Sequence, residues 1–169
     1  QSMLRRYWPG ILPRICMNRF YPAASIHSVS QNIWRTILVP NMLGRTLLVQ
    51  YSNEVVSYYC AMTEARNHMT SEAACQALAE FIGRIDRSAV LPHIPTILST
   101  LLACLKDDRW PVRDAAIGAS GVLTRYFLGG DFISPLHLQQ LIEHWTNNLT
   151  DFIWSVREHA AIAFGDALQ

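Results

Sequence analysis

Apolar residues recur at helical spacing on both sides of a short polar segment in the second half of the chain. The apolar positions before it are Ile94, Ile97, Leu98, Leu101, Leu102 and Leu105, and those after it are Val112, Ala115, Ala116, Ala119, Val122 and Leu123. Separations of three and four residues place these side chains on one face of a helix. Residues 107–111 break the pattern, and Pro111 suits the first turn of a helix, where its missing N–H would be unpaired anyway. The pattern predicts two helices joined by a short turn.

The same pattern returns near the C-terminus, 44 residues later. The residues that superimpose are Asp107 on Asp151, Trp110 on Trp154, Val112 on Val156, Arg113 on Arg157, Ala116 on Ala160 and Gly121 on Gly165. Self-similarity at this period is typical of solenoids built from helix pairs. In the later copy Ser155 and Glu158 have the spacing of a capping box, so we expect them to begin the second helix. An earlier copy, offset by 42 residues, keeps Ala74 and Ala77 but lacks the aspartate and the arginine.

Weaker signals extend the helical pattern to the rest of the chain. The other predicted helices are residues 11–19, 23–39, 54–64, 70–85 and 136–149. Pro9-Gly10 is expected to end a preceding unit, Pro40 to end the second helix, and Thr70 to cap a later one. We therefore predict an all-α fold that forms a single array over residues 1–169. Its helix pairs, about four in number, cover approximately residues 11–39, 41–85, 89–127 and 134–169.

The repeated pattern of leucines, Asp107, Val112-Arg113, alanines and Gly121 resembles the HEAT repeat family of armadillo-like α-solenoids. The resemblance implies a right-handed α-α superhelix of HEAT-type helix pairs, in which small side chains let the second helices approach closely. It also implies a structural ladder, in which aspartate and arginine side chains pair along the stack. The ladder positions in this sequence are Asp107, Arg113, Asp151 and Arg157.

Half of the 169 residues are hydrophobic and only 16% are charged. That composition suits a slice of a longer solenoid, in which neighbouring repeats cover the end faces. We therefore expect the chain to be a fragment of a longer solenoid. Its four cysteines are far apart and form no C-x-x-C pair, which favours reduced thiols and a cytoplasmic or nuclear location. No apolar run is long enough to predict a membrane span.

The sequence contains no H-E-x-x-H, G-x-S-x-G or glycine-rich phosphate-binding motif. One alternative is a HEAT-like metal-dependent hydroxylase, a related class whose metal ligands are His-Glu pairs on second helices. Here Glu158-His159 has the reverse order and occurs in one repeat, and a single pair cannot fill a metal's coordination sphere. A second alternative is a nucleic-acid-binding HEAT solenoid, but a net charge of +1 does not indicate a basic face. Trp110 and Trp154 recur at the same repeat position, so we expect them to pack between repeats.

An interaction surface is the remaining function, since solenoids bind extended partners along their stacked helices. We expect a non-catalytic scaffold or adaptor that binds other proteins and needs no cofactor, small-molecule substrate or membrane. HEAT relatives suggest nuclear transport, phosphatase or kinase scaffolding, or assembly of other proteins, and the sequence does not choose among them. The expected partner-binding face lies on the second helices and includes Glu80, Arg84, Asp114, Arg125, Glu158 and Ile162. Its mixed charges favour a protein partner over a polyanion.

Overall fold

The computed structural model describes residues 5–169, and every regular element in that range is a helix. The α-helices are α1 (Trp8–Asn18), α2 (Ala24–Ile33), α3 (Leu43–Gln50), α4 (Ser52–Thr63), α5 (His68–Arg84), α6 (Arg87–Val90), α7 (Ile94–Cys104), α8 (Trp110–Phe127), α9 (Pro135–Asn148) and α10 (Trp154–Ala167). Short 3-10 helices occupy Arg5–Tyr7, Pro40–Met42 and Leu91–His93, and a π-helix occupies Trp34–Leu38. The predicted all-α fold is confirmed. Between residues 5 and 169, no helix combines the length and apolarity needed to cross a bilayer.

The second helices of the last three pairs stack side by side, and the first pair contacts the second through α1. α5 packs against α8 and α8 against α10, while α4, α7 and α9 lie against α5, α8 and α10 respectively. Small residues permit this close approach. A Cβ atom added at Gly121 of α8 would lie 3.0 Å from the Cα atom of Ala163 in α10, which is tighter than ordinary van der Waals contact. At this point α8 and α10 therefore pack with almost no side chain between their backbones.

A hydrophobic core runs between the stacked helices and buries most of the apolar positions predicted for α7 and α8. On the predicted helix of residues 23–39, by contrast, Ile26, Val29 and Ile37 are exposed. The largest fully buried side chain of the core is Trp145 of α9. The indole Nε1 of Trp145 donates a hydrogen bond to Ser120 Oγ of α8 at 3.0 Å, and the ring meets Phe164 of α10 edge-on at a centroid distance of 5.5 Å. Because its one polar group is paired, this tryptophan joins three helices without leaving an unsatisfied donor in the core.

The first unit begins earlier than the sequence predicts. α1 starts at Trp8 and includes Pro9 and Gly10, the residues expected to end a preceding unit. A proline is tolerated here because the amides of a first helical turn have no intrahelical partner. Of the predicted tail over residues 1–10, residues 1–4 lie outside the described range.

The second helix of the first unit changes geometry before it ends. α2 continues beyond Ile33 into the π-helix, and Pro40 then begins a tight turn. In that turn Asn41 has a φ of 55° and Met42 a φ of 56°. Left-handed backbone is uncommon for residues that carry a β-carbon, and it is less usual for Met than for Asn. The helix ends at the predicted proline, but through a strained turn that the sequence pattern does not show.

α5 begins at His68, which lies before the predicted N-cap Thr70. The N-cap is Asn67, whose side-chain oxygen accepts a hydrogen bond from the Met69 amide at 3.0 Å. The Asn67 side-chain nitrogen donates to the hydroxyl of Tyr21 at 2.9 Å, which links the first and second units. The Thr70 prediction is wrong because asparagine, a stronger capping residue, already pairs one of the free amides three residues earlier.

Candidate protein-interaction surface

An aspartate and an arginine close the turn between α7 and α8. The Asp107 Oδ1 atom accepts a hydrogen bond from the Arg109 amide at 2.9 Å. From the first turn of α8, Arg113 Nη1 donates to the carbonyl oxygens of Asp107 at 2.9 Å and Asp108 at 3.0 Å. Backbone groups that lack helical partners are thereby paired by side chains from both ends of the turn.

The turn between α9 and α10 has the same construction. Asp151 Oδ1 accepts a hydrogen bond from the Ile153 amide at 2.8 Å. Arg157 Nη1 donates to the carbonyl oxygens of Asp151 at 2.7 Å and Phe152 at 3.3 Å. α10 consequently begins at Trp154 with no side-chain cap. The capping box predicted from Ser155 and Glu158 is therefore wrong, because the aspartate has already set where the helix begins.

One ion pair connects these two turns across the stack. Arg113 Nη2 donates to Asp151 Oδ2 at 2.9 Å. Burial raises the pKa of Asp151, but hydrogen bonds from the Ile153 amide and from Arg113 outweigh burial, so the pKa lies below its ordinary value. Arg157, which occupies the Arg113 position of the last pair, has no carboxylate within 4.0 Å of its guanidinium among residues 5–169.

Arg109 connects the third pair to the second. Its Nε and Nη2 atoms donate to the two carboxylate oxygens of Asp107 at 2.8 and 2.6 Å. Its Nη1 atom reaches the turn between α4 and α5, where it donates to the carbonyl oxygens of Ala65 at 2.9 Å and Arg66 at 3.4 Å. The hydrogen bond from Arg109 lowers the pKa of Asp107 by more than burial raises it.

The contacts of Arg109 replace those of an arginine that the second pair lacks. With the 42-residue offset, Ala65 and Arg66 correspond to the two turn residues whose carbonyls Arg113 binds in the third pair. The position of Arg113 is taken in the second pair by Ser71, whose hydroxyl donates to the Ala65 carbonyl at 3.0 Å. A serine cannot span both carbonyls, so Arg109 supplies the guanidinium from the next pair. No sequence repeat predicts this residue, since it has no equivalent in the fourth pair.

The first and second pairs are joined by a different ion pair. Arg19 is buried, and its Nη1 atom donates to one carboxylate oxygen of Glu80 at 3.2 Å while Nη2 contacts the other. Its Nε atom donates to the Cys16 carbonyl at 3.3 Å. The guanidinium lies over the ring of Trp34, 3.9 Å from the ring centroid. The planar group of arginine suits this combination of a paired carboxylate on its edge and an aromatic ring on its face.

Three of the six residues predicted for the partner-binding face are engaged within the chain. Glu80 is held by Arg19, as described above. Asp114 Oδ1 lies 2.7 Å from the His159 Nδ1 atom of α10, and its side chain is largely covered. Arg125 is exposed and lies 3.5 Å from Asp166, which is the longest ion-pair distance in the described part of the chain.

The other three predicted residues, Arg84, Glu158 and Ile162, are exposed. Neither Arg84 nor Glu158 forms an ion pair within residues 5–169. Arg84 lines a surface pocket together with Trp34 and Phe81. The predicted face therefore consists of residues on α5 and α8 that are paired within the chain and of accessible residues on α10 and at the end of α5.

The described residues contain no arranged cluster of metal ligands. His159, the histidine of the Glu158-His159 pair, directs its Nδ1 atom to Asp114. Within residues 5–169, no group of three or more His, Cys, Asp or Glu side chains is arranged to hold a metal ion.

An apolar row follows the edge of the stack at the starts of the second helices. We call it the turn-edge row, and it consists of Met69, Trp110, Phe152 and Trp154. Trp110 is 44% exposed, Trp154 69% and Phe152 91%. The sequence predicts that the two tryptophans pack between repeats, but the structure leaves much of each indole in solvent because each is the first residue of its helix. The recurrence of tryptophan next to the turns closed by Asp107 and Asp151 is the sequence feature that could have indicated this exposed row.

All four cysteines are free thiols, and three of them are buried. Burial raises the pKa of Cys16 to about 12 and also raises the pKa of Cys60. The hydrogen bond with Cys104, followed by burial, raises the pKa of Cys75. These thiols are therefore protonated at neutral pH and act as small apolar groups.

Residues 97–127 match the family model described as HEAT repeat. The matched segment contains most of α7, the turn closed by Asp107 and Arg113, and α8, so it coincides with the third helix pair. The match supports the resemblance to HEAT repeats, which are typical of protein-interaction scaffolds. Comparison with curated proteins and with solved structures gives no match.

Proposed function

We propose that this chain is a non-catalytic scaffold that binds other proteins along its stacked second helices, with the turn-edge row as the main contact. The exposure of Trp110 is the observation that carries the proposal. The pair to which Trp110 belongs has a neighbouring pair on each side, so its exposure is not a consequence of lying at an end of the stack. Exposed apolar patches mark protein-interaction sites, and tryptophan is enriched among the residues that dominate binding energy.

The ladder residues support this surface without contacting the partner. Asp107, before Trp110 in the chain, and Arg113, after it, close the turn that leads into α8. Asp151 and Arg157 close the corresponding turn before Trp154. Because the turns are fixed by side-chain hydrogen bonds, the indoles are held on helix ends that change little on binding. A preorganised surface loses less conformational entropy when a partner binds.

The exposed members of the predicted face extend the surface across α10 and the end of α5. Glu158 and Ile162 follow Trp154 along α10 and are exposed. Arg84 supplies an accessible positive charge at the far end of α5. Because these charges are of both signs and dispersed, they favour a protein of complementary charge as the partner, in the cytoplasm or nucleus.

Two substitutions on α8 test the proposal. Trp110 and Tyr126 lie at opposite ends of this helix and are 44% and 45% exposed. We expect Trp110→Ser to reduce capture of specific partners from a cell lysate by about tenfold or more, the loss typical of a dominant interface residue. Tyr126→Ser, a matched loss of exposed aromatic surface, should leave capture unchanged.

The captured proteins are identified by mass spectrometry, and the bait is analysed for metal. A partner that is lost with Trp110→Ser and retained with Tyr126→Ser supports the proposed surface. Equal capture by both variants would exclude the turn-edge row, and stoichiometric iron in the purified bait would favour the hydroxylase instead.

A further inference from the structure

The last helix pair exposes positions that are buried in the pair before it. Leu105 is 2% exposed, whereas Leu149, 44 residues later, is 39% exposed. Leu98 is 2% exposed, and the corresponding Ile142 is 40% exposed. Within residues 5–169 the third pair has a neighbouring pair on both sides and the fourth has one on a single side. The apolar end face on α9 and α10 therefore carries residues suited to burial by a neighbour.

Equivalent glycines on α8 and α10 show the same difference. A Cβ atom at Gly121 would lie 3.0 Å from the Cα atom of Ala163 in the next pair. A Cβ atom at Gly165 would meet nothing within 4 Å. Glycine is unfavourable inside a helix relative to alanine, and close helix packing is a reason to retain it. Gly165 has the small size that a covering helix would require.

The polar contacts of Arg157 also differ from those of its counterpart Arg113. Arg113 and Arg157 both donate through Nη1 to the carbonyls of their own turns. Arg113 also donates through Nη2 to the aspartate of the next pair, Asp151. In the described chain the same nitrogen of Arg157 has no carboxylate to contact. The end face thus presents an unused donor at the place where the ladder would continue.

We infer that a further helix pair, following in the same polypeptide, covers α9 and α10 in the register in which these helices cover α7 and α8. That pair places a small residue against Gly165 and an aspartate in its turn against Arg157. The connection can be short, since α8 ends at Phe127 and α9 begins at Pro135. The inference continues an interface that the structure shows between α8 and α10.

A second copy of this chain fits the end face less well. Head-to-tail stacking would bring the turn between α1 and α2 to Arg157, and that turn, residues 19–23, contains Arg19 and no acidic residue. Face-to-face stacking would place Arg157 near its own symmetry mate. Both arrangements leave the arginine without a new carboxylate, and the second also opposes like charges.

An internal duplication tests the inference. Residues 126–169, appended after Gln169, continue the 44-residue period and supply a helix pair whose turn carries the counterpart of Asp151. We expect the longer chain to gain helix by circular dichroism and to melt about 5 °C higher, because added repeats stabilise their neighbours. Hydrogen exchange of the α10 amides should slow.

The Gly165→Ala substitution is the decisive test, because its effect on Tm should have opposite signs in the 169-residue chain and in the longer chain. In the 169-residue chain the added methyl group meets no atom, so we expect Gly165→Ala to raise Tm. In the longer chain it should lower Tm, as we expect for Gly121→Ala in either chain. A rise of equal size in both chains would overturn the inference, and so would appended residues that gain no helix.

Removing the new carboxylate tests the ladder separately. Asparagine in place of the appended aspartate should lower the Tm of the longer chain, and that loss should disappear when Arg157→Ala is also present. Equal losses with and without Arg157 would contradict the predicted contact. Micromolar self-association of the 169-residue chain that Leu149→Ser abolishes would identify a second copy as the occupant and overturn the inference. Trp110→Ser should not change the sign of the Gly165→Ala effect in either chain, so failure of the proposed function is distinguishable.

Discussion

The junction between the third and fourth helix pairs and the junction between the first and second place an arginine in different surroundings. At the former, Arg113 and Asp151 pair at 2.9 Å within turns that remain partly open to water. At the latter, Arg19 is buried against Trp34 and holds Glu80, a carboxylate on α5. Both are arginine–carboxylate pairs that join neighbouring units.

The difference shows how replaceable each pair is. A partly solvated ion pair contributes modestly to stability. Its residues can also be replaced by others, since Arg109 of the third pair binds the turn carbonyls of the second pair, which lacks its own arginine. A buried pair contributes little beyond a well-packed apolar alternative, but loss of one member leaves a charge that neither water nor a partner neutralises. Substitution of Arg113 or Asp151 should therefore reduce stability only modestly, whereas substitution of Arg19, which lies against Trp34, should reduce it strongly.

The largest effect is expected for Arg19→Ala. This change removes the partner of Glu80 and the cation over Trp34, and we expect it to lower the free energy of unfolding by about 3 kcal/mol. Urea unfolding followed by circular dichroism measures the change. Arg14→Ala is the matched control, because Arg14 lies on α1, the helix that Arg19 directly follows, is exposed and stacks on Tyr58.

The control should cost about 0.5 kcal/mol, as for an exposed cation–π contact. Adding Glu80→Gln to Arg19→Ala should recover part of the stability, because a neutral amide is less costly to bury than an unpaired carboxylate. Equal midpoints for the Arg19 and Arg14 variants would show that the buried pair contributes no more than a surface contact.

The second prediction compares Gly121 with Gly165. Gly121→Ala should lower the free energy of unfolding by about 1–2 kcal/mol, because its methyl group forces α8 away from Ala163. Gly165→Ala should raise it by about 0.5–1 kcal/mol, because alanine favours the helix and meets no neighbour. Thermal and urea melts of the two variants give both signs. Changes of the same sign would mean that the close contact of α8 with α10 does not depend on a missing side chain.

The structural features that the sequence predicts are those whose residues recur in more than one helix pair. Asp107, Arg113 and the small residues of α8 recur in the fourth pair, so their spacing indicated the helix pair and its turn. Arg19 and Glu80 lie 61 residues apart and occur once, so no internal comparison could associate them. The capping box failed at Ser155 because a rule based on local spacing did not include the competing hydrogen bond of an aspartate in the preceding turn.

The third prediction separates the two functions of a ladder arginine. Arg113→Ala and Arg157→Ala each remove two hydrogen bonds to turn carbonyls, but only the former also removes an ion pair with the next helix pair. We expect Arg113→Ala to cost about 1 kcal/mol more than Arg157→Ala, the difference due to one charged hydrogen bond in a partly solvated site. Matching urea midpoints for the two variants would contradict this account.

The fourth prediction concerns pH. The folded pKa values of Asp107 and Asp151 lie below their ordinary values, so folding favours the ionised carboxylates. Their contribution is therefore fully present above the unfolded pKa of about 4 and is lost as the pH falls through the folded pKa values. Urea midpoints measured from pH 7 to pH 3 should fall at the acid end. Asp107→Asn with Asp151→Asn should flatten that fall while retaining the amide contacts, and an unchanged acid slope would assign the loss to other carboxyl groups.

The smallest effect is expected for Arg125→Ala. Arg125 and Asp166 join α8 to α10, as Arg113 and Asp151 join the same two pairs, but the guanidinium is half exposed and the separation is 3.5 Å. A pair of this kind is screened by water and loses side-chain entropy when it forms, so we expect a change within about 0.5 kcal/mol in the free energy of unfolding. Urea melts of Arg125→Ala and Arg113→Ala show whether an arginine that also binds its own turn contributes more to stability than one that only joins neighbouring pairs. If both variants lose the same stability, contact between neighbouring pairs would suffice, and the hydrogen bonds that Arg113 makes to its own turn would contribute nothing further.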